Sequence, residues 1–334
     1  MNDNEVKSLA EKGYFKASPL RGKIEETHIS WIILTKQFVF KIKKSLRFSF
    51  LDFSTISKRR MYCRREVQLN SRLSDIYLDV MPVIHRNGYW HIGNGKGKIR
   101  DYAVRMKRMR SKRRMDMMFE RHEVKKKHII ELAKTVAAFH KTATVIRTPF
   151  EISTARSLFN DISTLRDYIG RHLGQNYSVL IDQCIHWSNE FLDKYTSRFQ
   201  DRISSGFKRD VHGDLHAGNI FLYKKPVIFD CIEFNDSYRQ IDVINEVAFL
   251  CMDFEFHGQK TFSKTFLDEY SRHHSYIGTE ADDQLFLYFK CYRANVRAKV
   301  NVITSQHMQN DQPGFRTYLR TAQTYLELMR TYIK

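Results

Sequence analysis

Apolar positions recur along this chain with two periods, and the change from one to the other divides it. Residues 28–34, His-Ile-Ser-Trp-Ile-Ile-Leu, form a run rich in β-branched and aromatic side chains, and Phe38-Val39-Phe40-Lys41-Ile42-Lys43 alternates with period two. Both runs predict strands, with Thr35-Lys36-Gln37 as a tight turn between them. Over residues 57–73 the spacing becomes helical, with Val67, Leu69 and Leu73 set among basic residues. Residues 89–92 and 99–106 read as strands again, and Gly93-Asn94-Gly95-Lys96-Gly97-Lys98 between them reads as a β-hairpin turn. That glycine cluster lacks the spacing and the Lys-Ser/Thr ending of a phosphate-binding P-loop. Helical patterning resumes over 128–140 and fills 153–202, where no motif stands out. Short strands follow at 219–223 and 227–229 around Lys224-Lys225-Pro226, then apolar helices at 241–250 and 285–302.

Composition removes several function classes. The apolar content of 42% in 334 residues supports a substantial core. No apolar run approaches the roughly 20 residues that span a bilayer, and the acidic, polar start of the chain is unlike a signal peptide. Five scattered cysteines without a Cys-x-x-Cys pair argue against a zinc site and against a disulfide framework. A reducing cytoplasm is the expected setting. The net charge of +19 favours anionic partners over cationic ones. It is concentrated over 96–127, with fourteen Lys/Arg against four Asp/Glu. A nucleic-acid face is one reading of that stretch; a solvated, soluble surface is the favoured one.

The chemistry sits in His212-Gly213-Asp214-Leu215-His216-Ala217-Gly218-Asn219-Ile220-Phe221-Leu222 and in Val227-Ile228-Phe229-Asp230. Singly, Asp214 and Asn219 are turn formers and Asp230 ends a strand. Together they supply what phosphoryl transfer from a nucleotide needs. One carboxylate accepts or orients the proton of the attacking hydroxyl, while an amide and a second carboxylate hold magnesium on the phosphates. Kinase catalytic loops use the same Asp-to-Asn spacing, with the metal-binding Asp on the next strand.

His-Gly-Asp-Leu-His-x-Gly-Asn-Ile followed by an apolar strand ending in Asp resembles the aminoglycoside phosphotransferase and choline kinase branch of the protein-kinase-like fold. Phe229-Asp230-Cys231-Ile232-Glu233-Phe234-Asn235, Ile241-Asp242 and residues 248–253 are similar to an uncharacterised bacterial subgroup of that family. Many of its members carry a second, P-loop kinase domain, for which this sequence offers no candidate. The resemblance implies an α+β, bilobal protein-kinase-like fold with a small, mostly antiparallel β N-lobe over 1–107 and a larger helical C-lobe over 108–334. It implies ATP or another nucleoside triphosphate, and Mg2+, as cofactors. Asp214 would be the base, with His216 assisting at the phosphate or ordering the loop, and Asn219 and Asp230 would bind metal. Lys41 matches the family's phosphate-anchoring lysine, with Lys43 on the same face as the alternative. Glu66, the only carboxylate between Asp52 and Asp75, would be its partner. Met106 and Arg108 fall where the strand enters the interlobe hinge and would line an adenine slot, Arg108 through its backbone.

Other positions acquire roles from the same resemblance. Residues 153–202 correspond to the family's helical insertion. His140 reads as a packed or capping histidine. Asp242 would bond the catalytic-loop backbone or cap its helix. Lys290, Arg293 and Arg297 form a stripe that would bind anions or face solvent. No Gly-x-Gly-x-x-Gly precedes Lys41, which weakens a protein-kinase reading more than a kinase reading. The expected activity is ATP-dependent transfer to a hydroxyl of a small molecule. Aminoglycosides are polycations, so the charge of this chain points to a neutral or anionic acceptor. The lesser readings are a protein or self-phosphorylating kinase, and a basic nucleic-acid or ribosome-associated module. No membrane partner is expected.

Overall fold

The period-two runs become adjacent antiparallel strands, Ser30–Leu34 and Phe38–Lys43, in a computed structural model describing residues 1–48, 51–275, 278–309, 312 and 314–334. Thr35 closes the turn between them, its side chain accepting from the Phe38 N–H at 3.1 Å and donating to the Phe38 carbonyl at 2.9 Å. Alternation then sorts the side chains by face. Trp31, Ile33, Phe40 and Ile42 pack in one cluster with Val6, Leu9 and Ala10 of the N-terminal helix Asp3–Lys12. Val39 joins a second cluster with Cys63, Tyr77, Val104 and Met106. Lys41 and Lys43 alternate with Phe40 and Ile42 and so share the Val39 face, a buried position for two ammoniums.

The described residues form an eight-stranded mixed sheet in the order Ser18–Pro19, Tyr14–Phe15, Tyr89–Ile92, Tyr77–Arg86, Lys98–Lys107, Phe38–Lys43, Ser30–Leu34, Lys23–Glu26. Only the pairing of Tyr14–Phe15 with Tyr89–Ile92 is parallel. The expected hairpin about Gly93–Lys98 does not form. Tyr89–Ile92 and Lys98–Lys107 lie on opposite sides of Tyr77–Arg86, so the glycine segment crosses over that strand. The true hairpin turns at Asn87-Gly88, with Arg86 opposite Tyr89 and φ values of 49° and 78° at the two turn residues. Asn-Gly with both residues left-handed matches the twist of antiparallel strands, and it was there to be read.

By its contacts the chain divides into two compact units: Met1–Arg121 with Gly218–Arg239, and His122–Ala217 with Gln240–Lys334. The first holds the sheet and the Ile56–Asn70 helix, whose N-cap Thr55 accepts from Lys58 N–H. The second is helical, built on Lys126–Thr142, Gln175–Ser204, Val243–Phe256, Lys260–His273, Glu280–Gln306 and Phe315–Tyr332. Every residue from Val243 to Phe254 is buried, so that helix is the centre of its unit. Asp242 is its N-cap, accepting from Ile244 N–H at 2.9 Å. Its carboxylate also takes a two-pronged ion pair from Arg202 at 2.7 and 2.8 Å, and Arg202 reaches Asp282 at 2.9 Å. The expectation that Asp242 bonds the catalytic-loop backbone is therefore corrected; other acids do so. No helix among the described residues is long and apolar enough to cross a membrane.

Candidate functional site

In the first unit, three carboxylates and two lysines meet. Lys41 Nζ lies 2.8 Å from Glu66 Oε1 and 2.6 Å from Asp230 Oδ1. Lys43 Nζ lies 2.6 Å from Glu66 Oε2 and is hydrogen-bonded to Glu233. Each oxygen of Glu66 thus faces a different lysine, because the two residues stand two apart on one strand face. Glu66 and Lys43 are fully buried and Lys41 nearly so. Burial disfavours both ammoniums, but the surrounding carboxylates outweigh it and hold both lysines above their usual range. Burial likewise opposes charge on Glu66, yet the two lysines keep its carboxyl below the usual range. Glu233, buried beside Glu66, is pushed up despite Lys43. The set has three carboxyl groups for two ammoniums, and its exposed member is Asp230, with 44% of its side chain accessible.

Asp230 is held by its backbone. It adopts φ 65°, a left-handed conformation that Asp tolerates better than most residues. Its N–H donates to the Tyr77 hydroxyl at 3.0 Å, and the next N–H, of Cys231, donates to Asn70 Oδ1 at 2.9 Å. The preceding strand, Val227–Ile228, pairs with Ile220–Phe221 in the register Ile220↔Ile228. Phe229 N–H bonds the Asn219 carbonyl at 3.1 Å. Asn219 and Asp230 consequently flank the same end of this hairpin, opposite its turn. An amide oxygen and a carboxylate are hard ligands. Mg2+ characteristically takes one or two such protein ligands and completes its shell with water and phosphate. With the accessible carboxylate of Asp230 at the same end of the hairpin as Asn219, these residues fit a divalent cation.

Met106 lies in the apolar cluster with Val39, Val104 and Tyr77, against which Ile32, Leu34, Met109, Val227 and Phe229 also pack. The backbone donors just beyond it are already engaged: Lys107 N–H with the Ile76 carbonyl at 2.8 Å and Arg108 N–H with the Gln37 carbonyl at 2.9 Å.

In the second unit the loop carrying Asp214 is clamped through its backbone. Glu246 accepts from His212 N–H at 3.1 Å and Gly213 N–H at 2.6 Å, and its Oε1 lies 2.9 Å from His140 Nε2. Gly213 has φ 87°, so a side chain there would be strained. Asp253 Oδ2 accepts from Ala217 N–H at 2.7 Å, and Arg293 donates to the Gly213 carbonyl at 3.1 Å and to Asn245 at 2.6 Å. Asp214 N–H turns onto His212 Nδ1 at 3.2 Å. Its carboxylate stays 38% exposed, 3.5 Å from His216 Nε2. Enclosure by protein opposes the charge, but His216, Arg297 and His212 outweigh it and hold the carboxyl well below the ordinary range. An ionised, accessible carboxylate on a rigid loop can accept a proton or orient a hydroxyl.

Sequence reasoning missed Glu233, Glu246 and Asp253. The last two had a signal: two acids seven residues apart lie on one face of an otherwise apolar helix, and a buried charge needs a partner. His140 is fully buried between Glu246 and the Tyr270 hydroxyl, 2.7 Å from its Nδ1. Lys290 and Arg293 do not face solvent: Lys290 pairs with Glu255 at 2.6 Å and Arg293 is committed to the loop.

Several solved structures share this fold. An amicoumacin kinase in complex with AMP-PNP, Ca2+ and amicoumacin matches 99% of this chain and 94% of its own, with TM-score 0.56 at 13% identity. Choline kinase from Cryptosporidium parvum Iowa II matches 98% and 96%, with TM-score 0.55 at 9% identity. A spectinomycin phosphotransferase in complex with ADP and spectinomycin matches 93% and 91%, with TM-score 0.50 at 10% identity. The fold is the protein-kinase-like one, a curled mixed sheet and a helical part. Residues 54–281 match the model of the phosphotransferase enzyme family named for the aminoglycoside phosphotransferases, and the chain belongs to that family. Uncharacterised proteins of Mycobacterium tuberculosis and Mycobacterium bovis are 32% identical over 286 residues, 84% of this chain and 54% of theirs. The chain spans about half the length of these curated relatives.

Proposed function

We propose that this protein is a nucleoside-triphosphate-dependent phosphotransferase that moves the γ-phosphoryl group, in the first instance from ATP, to a hydroxyl of a small molecule. The observation that carries the proposal is Lys41, buried and held by Glu66 beside the accessible carboxylate of Asp230. A buried ammonium fixed in that way is a prepositioned anchor for phosphates. Asn219 and Asp230 would hold Mg2+, which supplies charge neutralisation at the phosphates. Lys41 is the phosphate anchor and Lys43 the brace, since Lys43 is spent on two carboxylates and wholly enclosed. Asp214 receives the proton of the acceptor hydroxyl, and His216 orders the loop and screens its charge. The apolar cluster around Met106 offers a surface for a base. With Arg108 N–H already bonded to Gln37, base recognition falls to side-chain packing more than to that amide.

The test is ADP formation across a panel of hydroxyl compounds with Mg2+ and ATP, with Asp214→Asn as control. Transfer in the wild type, reduced about 10²–10⁴-fold in the variant with nucleotide binding kept, is the expected result. Wild-type rates in the variant would refute the assignment of the base. Intact mass after incubation with ATP separates small-molecule transfer from self-phosphorylation.

A further inference from the structure

Arg297 is a cation of the Glu280–Gln306 helix that forms no ion pair among the described residues. Its neighbours on that helix are spent. Arg293, one turn earlier on the same face, is bonded to Asn245 and to the Gly213 carbonyl; Lys290 is paired with Glu255, and Lys299 with Asp161. Arg297 is half-buried, and its side chain makes one polar contact, Nε to the Tyr325 hydroxyl at 3.4 Å, over whose ring it lies at 5.7 Å. A guanidinium carries five N–H donors in a planar fork, and protein interiors seldom leave them unsatisfied. Among the described residues no carboxylate forms an ion pair with it. The two carboxylates whose field it feels are Asp214 and Asp253. Asp253 is committed to Ala217 N–H, and Asp214 is the accessible group at 3.5 Å from His216.

Resting on the phosphotransferase reading above, we infer that Arg297 is an anion subsite for the acceptor. The hydroxyl compound phosphorylated beside Asp214 carries a phosphate or carboxylate of its own. The fork geometry of a guanidinium matches such a group through two parallel hydrogen bonds and repels an ammonium. Tyr325 keeps the guanidinium plane in place, so little freedom is lost on binding. The chain's net charge of +19 acts in the same sense at longer range. In the transfer itself the γ-phosphoryl group leaves the nucleoside diphosphate for the acceptor oxygen, and the hydroxyl proton passes to Asp214. Arg297 takes no part in bond making; it decides which molecules present a hydroxyl there.

The experiment uses the full chain and matched probes: glycerol, glycerol phosphate and choline, then ribose and ribose phosphate, with inorganic phosphate as the bare anion. Binding is followed by calorimetry, and ADP formation is followed in parallel. The phosphorylated members are expected to bind the wild type at least about tenfold more tightly than their neutral partners. Arg297→Gln should erase that preference, and Arg297→Lys should restore part of it. The KM for ATP should stay within about twofold, since an Arg297 that read the donor's phosphates would raise it instead. Equal binding of charged and neutral members, tighter binding of choline, or a loss confined to ATP would each overturn the subsite. The two readings fail separately. Phosphate binding lost in Arg297→Gln with no ADP formed from any compound would leave the anion subsite and remove the phosphotransferase. Asp214-dependent turnover without anion preference would do the reverse.

Discussion

The candidate site groups of the two units are held by different means. In the first, side chains hold one another: Lys41 and Lys43 share Glu66 and reach on to Asp230 and Glu233. In the second, side chains hold backbone: Glu246 and Asp253 grip the N–H groups of residues 212, 213 and 217, and Arg293 grips a carbonyl. A mutually paired set places charges accurately but depends on every member. A clamped loop leaves its working carboxylate outside the clamp, where it stays accessible. The difference suits the roles proposed, an anchor that must not move and a base that must meet a substrate.

Removing the shared member should have the largest effect. Glu66→Ala leaves two buried ammoniums short of a partner, and breaking a buried pair costs about 3–5 kcal/mol. Urea unfolding monitored by a probe in the sheet measures it. A cost below about 1 kcal/mol would mean that Asp230 and Glu233 suffice. Replacing Lys43 and Glu233 together by Met and Leu should cost less than either single change, because no orphan charge remains.

Glu246→Gln comes next. It keeps the shape of the clamp but removes its charge and sets an NH2 donor in place of one accepting oxygen, and charge-assisted hydrogen bonds contribute about 1.5–3 kcal/mol each. The loop should loosen, so kcat should fall while nucleotide affinity holds. Equal loss of both would show that the clamp serves the whole protein and not the loop. Proteolysis or amide exchange at residues 212–217 reads the loosening directly.

The last expected effect is a pH dependence confined to the second unit. Burial, with the charges of His140 and Arg209, lowers the His274 ring from 6.5 to about 4. The folded chain favours the neutral ring, whereas the unfolded chain protonates it near 6.5. Between about 6.5 and about 4 the unfolded state binds more protons, so this contribution falls as pH falls through that window and is constant outside it. As pH falls from about 7 to about 4, the unfolding midpoint of the wild type should drop relative to that of His274→Gln. Parallel curves would show that the ring does not titrate in this way.

Much of the candidate site was legible because its residues lie close together in sequence. Asp214, Asn219 and Asp230 lie within seventeen residues of one another, with short turns and strands between them. Lys41 was legible as a cation on an alternating strand, and Glu66 as the one acid available in its helix. The central strand Tyr77–Arg86 was missed, although Asn87-Gly88 marked its turn, and the glycine-rich segment beyond it drew the hairpin to the wrong place. Asp242 was given a task that falls to Glu246, one turn further along the same helix. Both are acids at the start of an apolar helix, and only packing distinguishes the one that meets the loop from the one that meets Arg202.

What the sequence determined by itself was the gathering of strands early and helices later, the family motif and the residue types that phosphoryl transfer requires. These depend on spacing along the chain, and period and spacing survive without a fold. Tertiary structure alone decided how charge was shared. It seated Lys41 and Lys43 on the two oxygens of one carboxylate, and it spent Lys290 and Arg293 inside the protein. It also left Arg297 with donors to offer. Pairing of that kind depends on which side chains are brought within 3 Å across tens or hundreds of residues, and desolvation makes each such choice costly to change.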